Sequence, residues 1–264
     1  MKYETWLKNK NLSKNTINVY LKNYDLWKKY LNDKKPNKTL FTKYIKTYSR
    51  THKPRSVRLL YSSILSIFRF EKRWKLLNEC KDIHLPKEEV EIKPVISLDH
   101  YKKVLFDIQL TNWFQKRDWL IFSFLFLTGT RVSELLIFNK KDIYDNNKYR
   151  ILGKGNKIRT IYLNDYLVSL LDNWKPNRIA ISKNNKILTI KQINIIIKKL
   201  SSTYFNKLLT PHSLRRSFAT NLLKSNINIE IVRRTLGHSN INTTSRYIQY
   251  TDDEILNEIK NLMK

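Results

Sequence analysis

Six side chains from residue 131 onward have the types and order needed to move a phosphoryl group through a phenol: Arg131, Lys154, His212, Arg215, His238 and Tyr247. They sit in four short segments, TGTRVSELL (128–136), GKGNKIR (153–159), HSLRRSFAT (212–220) and LGHSNINTTSRY (236–247). A phosphodiester attacked by a phenol passes through a pentacovalent state whose non-bridging oxygens require fixed positive donors. Arg131 and Arg215 suit that task, because a guanidinium presents a planar fork that binds two oxygens at once. Arg215 lies three residues after His212, on the same face of a helix. His212 and His238 are two of only five histidines, and imidazole titrates near neutrality. With a single cysteine in the chain and no Asp or further His clustered around them, they do not read as metal ligands. All four glycines, Gly129, Gly153, Gly155 and Gly237, fall inside these segments. A chain this poor in glycine keeps it where the backbone turns tightly or approaches another group closely.

The elements that must hold these side chains can be read from periodicity. The longest apolar stretch, 119–127, leads straight into TGTR and reads as a buried helix that delivers Arg131. Runs rich in branched residues at 149–152 and 157–163 flank GKGN, the pattern of a β-hairpin with Lys154 at its tip. Residues 190–200 and 227–236 have helical spacing, and Ser97 can cap a helix beginning at Leu98. Upstream the texture is helical throughout. Ile17, Tyr20, Tyr24, Trp27 and Leu31 recur at three- and four-residue steps after a capping Ser13, Phe41, Tyr44, Ile45 and Tyr48 mark a second helix, and Pro54 opens a third through Val57, Leu60, Ile64 and Phe68. Between these halves, at 83–94, two prolines flank a short acidic run and the helical spacing fails. The expected division is therefore a helical domain at 1–90 and a second domain at 91–264.

Composition bounds the partner. Against 51 Lys and Arg stand 22 Asp and Glu, a formal charge of +29, which attracts a polyanion at long range. The first 90 residues carry 22 basic and 8 acidic side chains, so the smaller domain is the more densely basic. Nucleic acid is the expected partner. Lys43, Lys46, Arg55 and Arg58 in the first domain are candidates for phosphate contacts, as are Lys157 and Arg159 on the hairpin, each against the alternative of a solvated surface charge. No apolar run reaches the roughly 18 residues of a spanning helix, and the opening MKYETWLKNK has no signal core. A membrane is not an expected partner, and one cysteine points to a reducing cytoplasm, close to the nucleoid.

Taken in order, the four segments resemble those of the tyrosine recombinase, or phage integrase, family, most closely its short Xer-type members. The resemblance covers 95–250, and the basic helical segment before it is similar to the family's core-DNA-binding domain. It implies a mainly α fold with a small β-hairpin or sheet, arranged as a two-domain, C-shaped clamp around duplex DNA. It also implies a site-specific recombinase that works without metal, ATP or other cofactor and passes through a Holliday junction. Tyr247, nine residues after His238, matches the nucleophile that forms a 3′-phosphotyrosine and releases a 5′-hydroxyl, with Tyr250 as its competitor. Lys154 matches the catalytic lysine and is expected to protonate the departing oxygen. By the same resemblance His212 assists proton transfer at the nucleophile and His238 donates to the scissile phosphate. Glu134 is expected to orient active-site groups, an ordinary surface glutamate being the alternative. The chain departs from the common HxLRH form at Arg216, outside the catalytic set.

The partners implied are double-stranded DNA carrying a recombination site and three further protomers. These would form a homotetramer, or a heterotetramer with a second recombinase, on two duplexes. The end of the chain is locally acidic at Asp252, Asp253, Glu254 and Glu258, with Ile255, Leu256, Ile259, Leu262 and Met263 on one helical stripe. That suits a helix docked on a neighbouring protomer, or packed on its own domain. Two other activities share the constellation: a nicking-closing enzyme like type IB topoisomerases, and a catalytically idle DNA-binding protein. Completeness of the six-residue set argues against the second.

Overall fold

The computed structural model describes residues 2–87, 94–145, 147–152 and 158–237, and divides into two compact units, Met1–Glu91 and Ile92–Lys264. The first contains helices α1 (Tyr3–Asn9), α2 (Lys14–Leu31), α3 (Lys38–Ser49), α4 (Pro54–Phe70) and α5 (Trp74–Cys80). Ser13 accepts from the Thr16 N–H at 3.2 Å and Asn37 from the Leu40 N–H at 2.9 Å, satisfying donors that a helix start leaves unpaired. Pro54 opens α4 at a position where no N–H is needed. Along α4, Val57, Leu60, Ile64 and Phe68 are buried, and Phe68 and Phe41 meet the Trp27 ring edge-on at 6.2 and 5.8 Å. Such aromatic pairs add about 0.5–1.5 kcal/mol each beyond the area they bury. The one polar side chain of α2 buried here, Asn23, donates to Ser63 Oγ at 2.9 Å, so its burial is compensated.

The second unit is built around a helix whose C-terminal half is buried on every side. It comprises α6 (Leu98–Asp107), α7 (Trp113–Thr128), α8 (Val132–Ile137), α9 (Asp165–Asp172), α10 (Ile190–Phe205), α11 (Pro211–Lys224) and α12 (Ile229–Leu236), with strands β1 (Ile143–Tyr144), β2 (Lys148–Leu152) and β3 (Ile158–Tyr162). Residues 119–126 of α7 are all buried, and the helix packs against α8, α9, α10 and α11. Only a helix surrounded by others can be hydrophobic all round. Ser123, its buried hydroxyl, accepts from the Tyr101 phenol at 2.7 Å. The expected hairpin is present as β2 and β3, antiparallel, with Ile151 opposite Arg159 and Leu152 opposite Ile158. It belongs to a three-stranded sheet of order β1-β2-β3, because the two-residue β1, too short to show alternation, pairs with β2. Among the described residues no helix is long and apolar enough to cross a membrane.

Candidate active site

Arg131 is placed by a forced turn. Helix α7 ends at Gly129, whose φ of +61° is left-handed, and a Cβ there would lie 2.3 Å from the Phe218 ring on α11. Only glycine satisfies both the conformation and the approach. Thr128 donates to the Phe124 carbonyl at 2.6 Å and shares a 3.0 Å hydrogen bond with Thr130, so the buried hydroxyls of TGT are paired within the turn. The chain then re-enters a helix at once, with Arg131 as the N-cap of α8.

Glu134 closes that cap and does more. Its Oε2 accepts from the Arg131 backbone N–H at 2.6 Å and from Arg159 Nη2 at 2.7 Å, while Oε1 accepts from Arg131 Nη1 at 3.0 Å and Arg159 Nη1 at 2.9 Å. Each carboxylate oxygen thus takes two donors, which fills its lone-pair capacity. Burial alone would push this carboxyl up, yet the hydrogen bonds from Arg159 and Arg131 outweigh it and hold the group below its ordinary value. An ionised, fully occupied carboxylate cannot serve as a proton shuttle. Its 5% exposure also excludes the surface-glutamate alternative.

Arg159 corrects an expectation. A hairpin arginine in a basic protein is expected in solvent or on the DNA backbone, but its side chain is 9% exposed and turned inward onto Glu134. Arg215 is also buried, at 3%. From the second turn of α11 its Nη1 donates to the Gly129 carbonyl at 2.6 Å and its Nη2 to the Leu236 carbonyl at 2.5 Å. The guanidinium therefore bridges the carbonyl ends of α7 and α12, where a helix favours positive charge. Helix α11 starts cleanly at Pro211 behind the Thr210 cap, which leaves His212 exposed at its second position and Arg215 one turn on. Past Leu236 the chain turns at Gly237, φ +65°, where a Cβ would come within 3.0 Å of Arg159 Cδ and Nη1.

A residue from each of the four segments therefore meets the others: Gly129 touches Arg215, Arg215 touches Leu236, Gly237 touches Arg159, and Arg159 shares Glu134 with Arg131. Lys154, Lys157, His238, Tyr247, Tyr250 and the acidic C-terminal stripe lie outside the described residues. In the first unit Lys43 and Lys46 on α3 and Arg55 and Arg58 at the start of α4 are all exposed, and Arg58 also donates to the Pro86 carbonyl at 3.1 Å.

The network makes a stability prediction. Glu134→Ala leaves the buried Arg159 charge without its counter-ion, and breaking a buried pair from one side costs about 3–5 kcal/mol. A matching fall in the denaturant midpoint, at unchanged slope, is the expected result. Because folding lowers the Glu134 pKa, the wild-type advantage is complete above the ordinary carboxylate range. It should shrink as pH falls through the lowered value.

The fold and this gathering of arginines define the class as a tyrosine recombinase catalytic domain. The sequence profile of the phage integrase family matches residues 97–254, and the chain belongs to that family. Among curated relatives, tyrosine recombinase XerD of Staphylococcus epidermidis is 32% identical over 219 residues, 76% of this chain and 74% of its own. Tyrosine recombinase XerC of Caldanaerobacter subterraneus is 30% identical over 228 residues, 81% of this chain, which spans 62% of that relative. In fold the chain is similar to the XerH site-specific recombinase bound to palindromic difH substrate, with a TM-score of 0.76, 20% identity and coverage of 96% and 82%. It is also similar to a lambda integrase dimer bound to a core site, with a TM-score of 0.77, 17% identity and 95% of each chain covered.

Proposed function

We propose that this protein is an Xer-like site-specific recombinase that cleaves duplex DNA with Tyr247, holds the strand as a 3′-phosphotyrosine, and rejoins it to a new partner through a Holliday junction. The observation that carries the reading is the meeting of the four segments around Glu134, Arg159 and Arg215, which sets Arg131, 36% exposed at its side chain, beside a buried framework of net positive charge. In this reading Arg131 and Arg215 neutralise the non-bridging oxygens, where charge develops in the transition state. Lys154 protonates the departing 5′-oxygen, His212 assists the tyrosine proton, and His238 donates to the phosphate. The phosphotyrosine conserves the energy of the broken bond, so no ATP is required.

The DNA grip is shared in this reading. Lys43, Lys46, Arg55 and Arg58 of the first unit contact phosphates, that unit serving as a core-DNA-binding domain and the second as the catalytic domain. Four protomers, identical or paired with a second recombinase, hold two duplexes, and the acidic stripe 252–263 joins neighbours. The test is a denaturation-resistant adduct between the protein and genomic fragments, with the trapped DNA sequenced. Adducts concentrated at one short inverted-repeat site are expected. Adducts spread over unrelated sequence, with relaxation of any supercoiled plasmid, would instead establish a topoisomerase-like nicking-closing enzyme.

A further inference from the structure

Arg159 is brought indoors by strand geometry. It lies two residues before Ile161 on β3 and opposite Ile151 on β2, and both isoleucines are buried. Residues i and i+2 of a strand, and directly opposed residues of an antiparallel pair, share one face. The guanidinium is thus delivered to the inner face of the sheet, where it grips both oxygens of Glu134 side by side. A planar fork fixes the plane of the carboxylate it holds. The remaining lone pairs of that carboxylate then point in set directions, and along them lie the backbone N–H and Nη1 of Arg131. Arg159 faces inward at 9% exposure and Arg131 outward at 36%, so one glutamate transmits the position of the first to the second.

Stability alone is a poor reason for this arrangement. Buried charge pairs are often no better for stability than apolar residues of similar size. Among the described residues the Arg159 Nε is, moreover, buried without a hydrogen-bond partner.

We propose that Arg159 is a positioning residue for strand cleavage: it fixes Glu134 and, through it, the guanidinium of Arg131 at the scissile phosphate. This rests on the reading above that Arg131 neutralises the non-bridging oxygens. Gly237 lies against the same guanidinium.

The test uses a substrate in which a methyl group replaces one non-bridging oxygen of the scissile phosphate, removing the charge that Arg131 must meet. Arg159→Lys keeps a cation beside Glu134 but loses the fork. It should form the covalent adduct at least about tenfold more slowly on ordinary DNA, the effect of one charge-assisted hydrogen bond. On the methylated substrate its rate should return to within about threefold of the wild-type rate, as should that of Arg131→Ala. DNA affinity and its salt dependence should stay unchanged. Equal slowing on both substrates overturns the proposal in favour of a purely structural role. Weakened binding with a shallower salt slope overturns it in favour of a backbone contact. If wild-type protein forms the adduct but Arg131→Ala is not rescued, the role given to Arg131 fails and the proposal with it. Should Arg159→Lys not fold, the double variant Glu134→Gln with Arg159→Met replaces the buried pair by neutral groups and must give the same split between substrates.

Discussion

Tyr247→Phe is expected to bind its recombination site with little loss and to form no covalent adduct, whereas Tyr250→Phe still forms one. The first change removes a single oxygen that is the attacking atom in this reading. A phenyl ring without its hydroxyl has no oxygen with which to attack phosphorus, so the rate should fall below detection. Binding is a separate matter, because most affinity for duplex DNA comes from cations meeting phosphates. The chain carries 51 Lys and Arg, and none is touched by the substitution. Gel-shift titration and denaturing electrophoresis of the same samples measure the two properties independently. An adduct persisting in Tyr247→Phe and lost in Tyr250→Phe would transfer the role to Tyr250. Its persistence in both would mean that neither tyrosine attacks.

How much of this molecule is legible in its sequence depends on how far each feature is from its cause. The long helices are local, with caps at Ser13 and Ser97, Pro54 as a first helical residue, and apolar steps of three and four, and α2, α4 and α6 begin where those residues put them. Helices α1 and α5 escape that reading. Each is seven residues long, and Tyr3 with Leu7, or Leu77 with Cys80, gives a single apolar step instead of a period. Strand β1 has two residues and is defined only by its partner Lys148 and Tyr149.

The site divides in the same way. Gly129 announces its turn because α7 ends there, but the Phe218 ring that forbids a side chain is contributed 89 positions later. Arg159 reads from the sequence as a surface residue because in so basic a chain an arginine is ordinarily solvated. A signal was nonetheless present. Arg159 and Ile161 share one face of a strand, so an inward arginine needed a buried carboxylate, and Glu134, close behind Arg131, was available. Arg215 shows the remaining limit, since its observed partners are main-chain carbonyls at Gly129 and Leu236, groups that every residue has and no motif advertises.

Lys154→Ala should cleave ordinary DNA about 10²–10⁴-fold more slowly, the usual contribution of a positioned general acid, and should recover on a substrate with sulfur in place of the bridging 5′-oxygen. An alkoxide leaves poorly without a proton. A thiolate leaves readily, because a thiol is far the stronger acid. Sulfur therefore relieves a defect in protonation and nothing else. Arg131→Ala should gain nothing from it, since the lost guanidinium served the non-bridging oxygens, and Tyr247→Phe should stay inactive for want of a nucleophile. The pattern across these three variants assigns three different parts of one reaction with one chemical change in the DNA. If Lys154→Ala fails equally on both substrates, the proton comes from elsewhere, with His212 at the start of α11 and Lys157 the next groups to test, and Lys154 becomes a phosphate contact.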